Sequence, residues 1–340
     1  MTALEEPWAT ILDASRHYPS PHNSQPIRVR VTSPQTAEVY YDLDRGLPAE
    51  NFGIPFGHVC AGVFLESLAV VAESEGYQVR EELHLSEMDF DAADRLHPIA
   101  TVTLSETPAD ERTRERRNAF DSRRTNRRPY DSRAVPDAVL APVRELASAR
   151  GQTFADSTDP AVVAQIIRVN QETLFDDLRN DAVHHEIMTW LRFSREEAVA
   201  KGDGLSAETM LMPGRLLKFA MGHRGLWEAP VIGGLIKATY LRTMRGVSQV
   251  AWFEGPFATP RDYLDAGRLF MASWLALVPH GVSLHPLGTV ITNPRSHAKF
   301  VAAAGIAEEA PRMAWMLVRL GYAKTPPVAY RRGIEELVVS

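Results

Sequence analysis

The densest concentration of chemistry-bearing side chains is Arg123-Arg124-Thr125-Asn126-Arg127-Arg128, preceded by Arg112, Arg114, Arg116 and Arg117. Guanidinium groups grip phosphate oxygens in pairs, and the Thr125 hydroxyl can add a hydrogen bond. The chain as a whole is acidic, with 37 Lys and Arg against 43 Asp and Glu, so this local basic cluster stands apart. A solvated helix face or an interdomain salt-bridge network would use the same residues. The formal net charge of −6 argues against a general nucleic-acid binder, and no aromatic platform accompanies the arginines. Arg331-Arg332 forms a second basic pair, which joins the first cluster only if the last segment folds back on the core.

The other stretch suited to binding is Pro19-Ser20-Pro21-His22-Asn23-Ser24-Gln25-Pro26. Its prolines and Asn-Ser pair make a turn with small polar side chains and exposed backbone N–H groups, which suits a flat, hydrogen-bonding ligand. An ordinary helix-to-strand loop would have the same composition. Other candidates are weaker. His184-His185 are adjacent, whereas metal-binding histidines on a helix need a spacing of three or four. Phosphate loops and nucleophile-elbow motifs are absent. Cys60, the one cysteine, opens an apolar helix and reads as a small buried hydrophobe. Met210, Met212, Met221 and Met244, with Trp227, Tyr240 and Trp252, make an adaptable apolar segment; residues 200–250 serve equally as a lid over a substrate or as plain core.

The elements that position these residues follow from periodicity. Trp8 to Arg16 reads as a short helix; Ile27 to Val31 and Ala37 to Tyr41 alternate as strands about a turn at Ser33 to Thr36. His58 to Gly76 is a long apolar helix, followed by strands at Tyr77 to Leu85 and Ile99 to Leu104. Glu106 to Arg117 reads as a linker or exposed helix, and a domain boundary is placed there, dividing 1–113 from 114–340. Beyond it come helices at 136–150, 159–180 and 181–201, a mixed segment from Met210 to Gly246 broken by Gly225, Pro230, Gly233 and Gly234, a short strand at Ala251 to Phe253, a long apolar helix at 261–280 and a strand at 313–320. The two long helices share a pattern. Ala61-Gly62 leads to a terminal Gly76 and Ala266-Gly267 to a terminal Gly281, at the same spacing, each before a strand. This predicts two copies of one fold unit, and the small pair at each helix start permits close helix approach.

With 340 residues, the chain is long enough for two domains. A single cysteine allows no internal disulfide and fits a reducing cytoplasm. The acidic N-terminal stretch lacks the pattern of a signal peptide. The apolar runs Leu65–Ala72 and Leu269–Val278 are too short to span a bilayer, so no membrane association is expected.

In sequence order, these segments resemble the nitroreductase superfamily. Pro19 to Pro26 resembles its flavin-contacting loop, and Arg123 to Arg127 its Arg-x-Ser-x-Arg/Lys segment, with Thr125 in the Ser place. Gly281-Val282 and Pro286-Leu287-Gly288-Thr289 resemble its Gly-Leu…Pro-Ile-Glu-Gly stretch, with Gly288 replacing Glu, and Leu320-Gly321-Tyr322 with Arg331-Arg332 resembles its C-terminal element. Length and the doubled helix resemble the Acg-like branch, in which two units are fused. The resemblance implies an α+β fold of two nitroreductase-like units, each a mainly antiparallel sheet flanked by helices, forming an internal pseudo-dimer. It implies one FMN per chain between them. Arg123, Arg124, Arg127, Arg331 and Arg332 would hold the phosphate with help from Thr125. Ser20, Pro21, His22, Asn23 and Gln25 would contact the ribityl chain and ring, and the backbone at Gly288 and Thr289 would face the flavin N5. The implied activity is NAD(P)H-dependent reduction of a nitroaromatic, a quinone or a related small acceptor, with no side chain assigned as general acid. The alternatives are flavin-dependent dehydrogenation, ene reduction or dehalogenation in biosynthesis, and non-catalytic flavin binding or sequestration. Either a monomer or a homodimer is compatible.

Overall fold

In a computed structural model, residues 4–227 and 230–339 are described. The chain opens with α1 (Trp8–Ser15), whose Trp8, Ile11 and Leu12 are buried. A first antiparallel sheet follows, built from β1 (Ile27–Val31), β2 (Thr36–Asp42), β3 (Tyr77–Leu83) and β4 (Leu96–Glu106) in the order β1-β2-β4-β3. Alternation in β2 puts Ala37, Val39 and Tyr41 into the core. Between β2 and β3 come the short α2 (Pro48–Asn51) and α3 (Phe56–Ser74). The chain leaves this sheet through α4 (Glu111–Ser122), started by a reciprocal cap between Asp110 and Thr113, so a helix spans the expected boundary at 113/114.

After α5 (Asp137–Ser148) and β5 (Thr153–Ser157), a long insertion carries α6 (Pro160–Asp177), α7 (Asp181–Trp190), α8 (Arg195–Lys201), α9 (Gly214–Gly222) and α10 (Pro230–Thr243). It packs a separate small apolar cluster that includes Phe175, Ile187, Leu217 and Trp227. The single helix expected over 181–201 is divided, because Leu191 turns extended and Ser194 caps a new start by accepting from the Glu197 N–H. The segment read as mixed holds two helices, and Pro230 opens the second rather than breaking it. β6 (Gln249–Pro256), α11 (Pro260–Leu277), β7 (Ser283–Pro286), α12 (Gly288–Thr292), α13 (Pro294–Ala304) and β8 (Arg312–Gly321) complete the chain.

The second sheet has the order β5-β6-β8-β7, which repeats that of the first, with α11 in the place of α3. These two helices cross at their glycines. A Cβ on Gly62 would fall 2.0 Å from the Leu264 carbonyl oxygen, and one on Gly267 would fall 2.0 Å from the Val59 carbonyl oxygen. Val59 stands to Leu264 as Gly62 stands to Gly267, so one offset in residue number relates both contacts, and the crossing is reciprocal. The same offset relates Gly76 and Gly281, both left-handed at their helix ends. One contiguous core joins α3, α11 and both sheets. α3 is by length and composition able to cross a membrane, contrary to the expectation from its shorter apolar run, but here it is buried in the protein. Met1 to Ala3, the start of the acidic stretch, lie outside the described residues.

Candidate functional site

The loop after α1 is shaped by left-handed backbone at His22, Asn23 and Gln25, with φ of 48°, 56° and 54°. Each such residue costs roughly 1–2 kcal/mol when it is not glycine, and the surrounding bonds hold it there. The Ser20 hydroxyl accepts from the Gln25 N–H at 3.0 Å, and the buried Tyr18 hydroxyl accepts from the Ile27 N–H at 3.1 Å. Strain of this kind concentrates where a chain presents groups to a ligand.

The arginine segment begins as α4 ends. Thr125 bridges to Leu284 at the edge of the second sheet, and the Asn126 side chain donates to Ser283 Oγ and the Lys324 carbonyl. The chain after β8 crosses the other way. Its end pairs with β1 through Val29 N–H to Leu337 O (2.8 Å) and Val339 N–H to Val29 O (2.9 Å). This return carries Arg331 over the loop, where it donates to Asn23 Oδ1 and to the Tyr18 carbonyl. Each sheet thus sends its last strand's continuation to the other.

Between these segments lies a cavity of about 430 Å³, lined by Ser20, His22, Asn23, Arg123, Arg124, Thr125, Arg127 and Arg331, among others. Among the described residues, none of these four arginines is ion-paired to a carboxylate. The one carboxylate in the lining, Asp121, is bonded to Arg117. Burial, then repulsion from Arg331 and Arg124, lowers the Arg123 pKa to about 9. Burial lowers Arg331 to about 10, with Arg124 and Arg16 contributing. Burial, then Arg319, lowers Arg127 to about 10. His17, beside them, falls to about 4 through burial and the charge of Arg16. Nε of Arg123 and of Arg331 are buried without partners among the described residues. Buried cations with open donors and no counter-ion are stabilised by an anion.

Arg331 and Arg124 both act on Arg123, whereas Arg319 acts on Arg127 and Arg127 acts on His22.

Of the residues expected at a site, Ser20, His22, Asn23, Arg123, Arg124, Thr125, Arg127 and Arg331 line this cavity; Pro21, Gln25, Gly288, Thr289 and Arg332 do not. Arg332 is instead ion-paired with the buried Asp203, which also pairs with Arg192. Gln25 is turned inward, donating to the Gly202 carbonyl at 2.9 Å and accepting from the Arg332 N–H at 3.1 Å. Gly288 begins α12, where an added Cβ would meet the Phe56 ring at 3.8 Å. Even the Asn23 amide donates to the chain's own carbonyls, at Gly204 (3.2 Å) and Tyr330 (3.0 Å). Arg16 and His17 line the cavity and were not expected; their position directly before the loop was the available signal. Two arginines preceding the cluster serve structure: Arg116 pairs with Glu66 and Glu73, and Arg117 with Glu75 and Asp121. Cys60 is buried, which pushes its thiol pKa up, and His184 meets the Met221 carbonyl at 2.9 Å.

No family model matches the chain, and no curated protein matches it in sequence. Similar solved structures include the FMN-dependent nitroreductase NfnB from Mycobacterium smegmatis in complex with NADPH, at 16% identity and a TM-score of 0.40 over 68% of this chain and 99% of that one. A nitroreductase with bound FMN from Bacteroides fragilis is similar at 13% identity and 0.37, over 64% and 93% of the two chains. Iodotyrosine deiodinase bound to FMN and 3-iodo-L-tyrosine is similar at 14% and 0.38, over 64% and 95%. At such identities and scores, the chain's own residues must carry any functional reading.

Proposed function

We propose that this chain is an FMN-dependent oxidoreductase of nitroreductase type, taking electrons from NAD(P)H and passing them to a small organic acceptor such as a nitroaromatic or quinone. The observation that carries this reading is the convergence of four arginines without carboxylate partners and a strained polar loop on one cavity. The arginines fit a phosphate: Arg123, Arg124 and Arg331 would hold it, and the Nε atoms of Arg123 and Arg331, buried without a partner among the described residues, suit its oxygens. The Thr125 and Ser20 hydroxyls suit a polyol, and Arg127 and His22 complete the lining. FMN, when bound, supplies the redox chemistry; the protein binds, orients and shields it. The repeated sheet order and the reciprocal glycine crossing support two fused units with one site between them. Such an internal pair would make a monomer sufficient.

A second reading is a protein that holds flavin without turnover. It is favoured by the Asn23 and Gln25 amides, which are engaged by the chain's own backbone at 202–204 and 330–332. Anaerobic spectroscopy separates the two. For an oxidoreductase, protein mixed with FMN retains a yellow chromophore through gel filtration, and NAD(P)H bleaches it. Retention without bleaching favours the second reading, and a colourless protein contradicts both.

A further inference from the structure

His22 lines the same cavity as Arg123, Arg124, Arg127 and Arg331. Its left-handed backbone sets the imidazole against α2, where Nε2 meets a Glu50 carboxylate oxygen at 2.5 Å. Both side chains are largely shielded, at 15% and 12% exposure. Glu50 is held in turn. The Glu186 carboxylate on α7 accepts from the backbone N–H groups of Ala49 and Glu50, at 2.9 and 2.8 Å. Asp177 on α6 acts on Glu50's surroundings from a further side, accepting from the Asn293 amide at 2.6 Å. The charged groups acting on the imidazole are therefore Glu50 from α2, Glu186 from α7 and Arg127 from the arginine segment. Burial pulls the His22 pKa down, but the charge and hydrogen bond of Glu50 outweigh it, and the net direction is upward. Nδ1 is buried and has no partner among the described residues. An imidazole with one nitrogen committed to a carboxylate and the other uncommitted is the arrangement of an oriented general acid.

We propose that His22 is the proton donor for reduction in this cavity and that Glu50 is the residue that positions it. The proposal rests on the flavin reading of the site. FMN, when bound and reduced, would supply the hydride equivalent to one oxygen of a quinone acceptor. His22 Nδ1–H would supply the proton to the other oxygen, giving the hydroquinone, and the imidazole would be left neutral with its remaining proton on Nε2, toward Glu50. Water then restores the lost proton.

The test compares two oxidants of the reduced, FMN-loaded protein in stopped flow: benzoquinone, whose product needs a proton, and ferricyanide, which takes one electron and no proton. His22→Asn keeps a residue that tolerates left-handed backbone. It is expected to lower the ratio of quinone to ferricyanide rates at least about ten-fold. Glu50→Gln is expected to lower the same ratio and shift the pH profile of the quinone rate toward acid. A third readout needs no flavin: in imidazole NMR of the flavin-free protein, His22 titrates above its ordinary 6.5, and Glu50→Gln brings it down. FMN affinity is measured for every variant. An unchanged ratio with FMN still bound overturns the role of His22 and leaves the flavin reading standing. A His22 titration that ignores Glu50→Gln overturns the dyad. Failure of the parent protein to bind FMN overturns both.

Discussion

Burial lowers the Arg123 pKa to about 9, Nε has no partner among the described residues, and the guanidinium lies 4.6 Å from the Trp274 ring centre. A buried cation without a counter-ion costs stability that an apolar residue of similar length does not. Arg123→Met should therefore hold or raise the thermal midpoint without ligand. It should weaken FMN binding by about 1.5–3 kcal/mol, the worth of a hydrogen bond to a charged group. A lowered midpoint with unchanged FMN affinity would contradict this. Asp177 gives a pH test. Burial raises its pKa from 3.8 to about 6, against the hydrogen bond from Asn293. Between those values the folded state binds more protons than the unfolded one, so this group's contribution falls as pH rises through that window. Asp177→Asn removes the titration. Its stability advantage should open between 3.8 and about 6 and stay constant above, as read by chemical denaturation across pH. At this scale the sequence was most legible where residues are contiguous. Arg123 to Arg127 and Ser20 to Asn23 could be read together because the backbone keeps them together. Arg332 could not be separated from Arg331, because its partner Asp203 is remote in sequence. Glu50 gave no signal either, since only the fold brings it to His22.

The glycine crossing of α3 and α11 sets the spacing of everything above it. Neither Gly62 nor Gly267 can gain a Cβ without moving backbone, since each would meet a carbonyl oxygen at 2.0 Å. Gly62→Ala and Gly267→Ala should each cost about 3 kcal/mol or more by urea denaturation. The double variant should cost less than the sum, because one separation of the helices relieves both contacts. A cost below about 0.5 kcal/mol for either, within the range of surface substitutions, would contradict the close crossing. The two long helices were legible because a buried helix has a long, uniform apolar run and a glycine end. The insertion was less so: the break at Leu191 depends on a Ser194 cap that an uninterrupted helical pattern conceals.

Across the whole molecule, the two sheets share a strand order but contribute unlike parts to the cavity. Residues 19–23 come from beside the first sheet, and residues 123–127 are pinned to the second by Thr125 and Asn126. Arg331 arrives on the returning tail. The repeated strand order goes with the repeated Ala-Gly pair in the sequence; the crossing of the tail to β1 left no such mark, because Leu337 to Val339 reads the same wherever it pairs. The proposed function places one flavin site in each chain, built by this exchange, and titration of flavin-free protein with FMN tests it. Saturation is predicted at one FMN per chain in the parent, with affinity lost on combining Arg123→Ala and Arg331→Ala. Saturation at two per chain, no binding at all, or unaltered affinity in that double variant would contradict it.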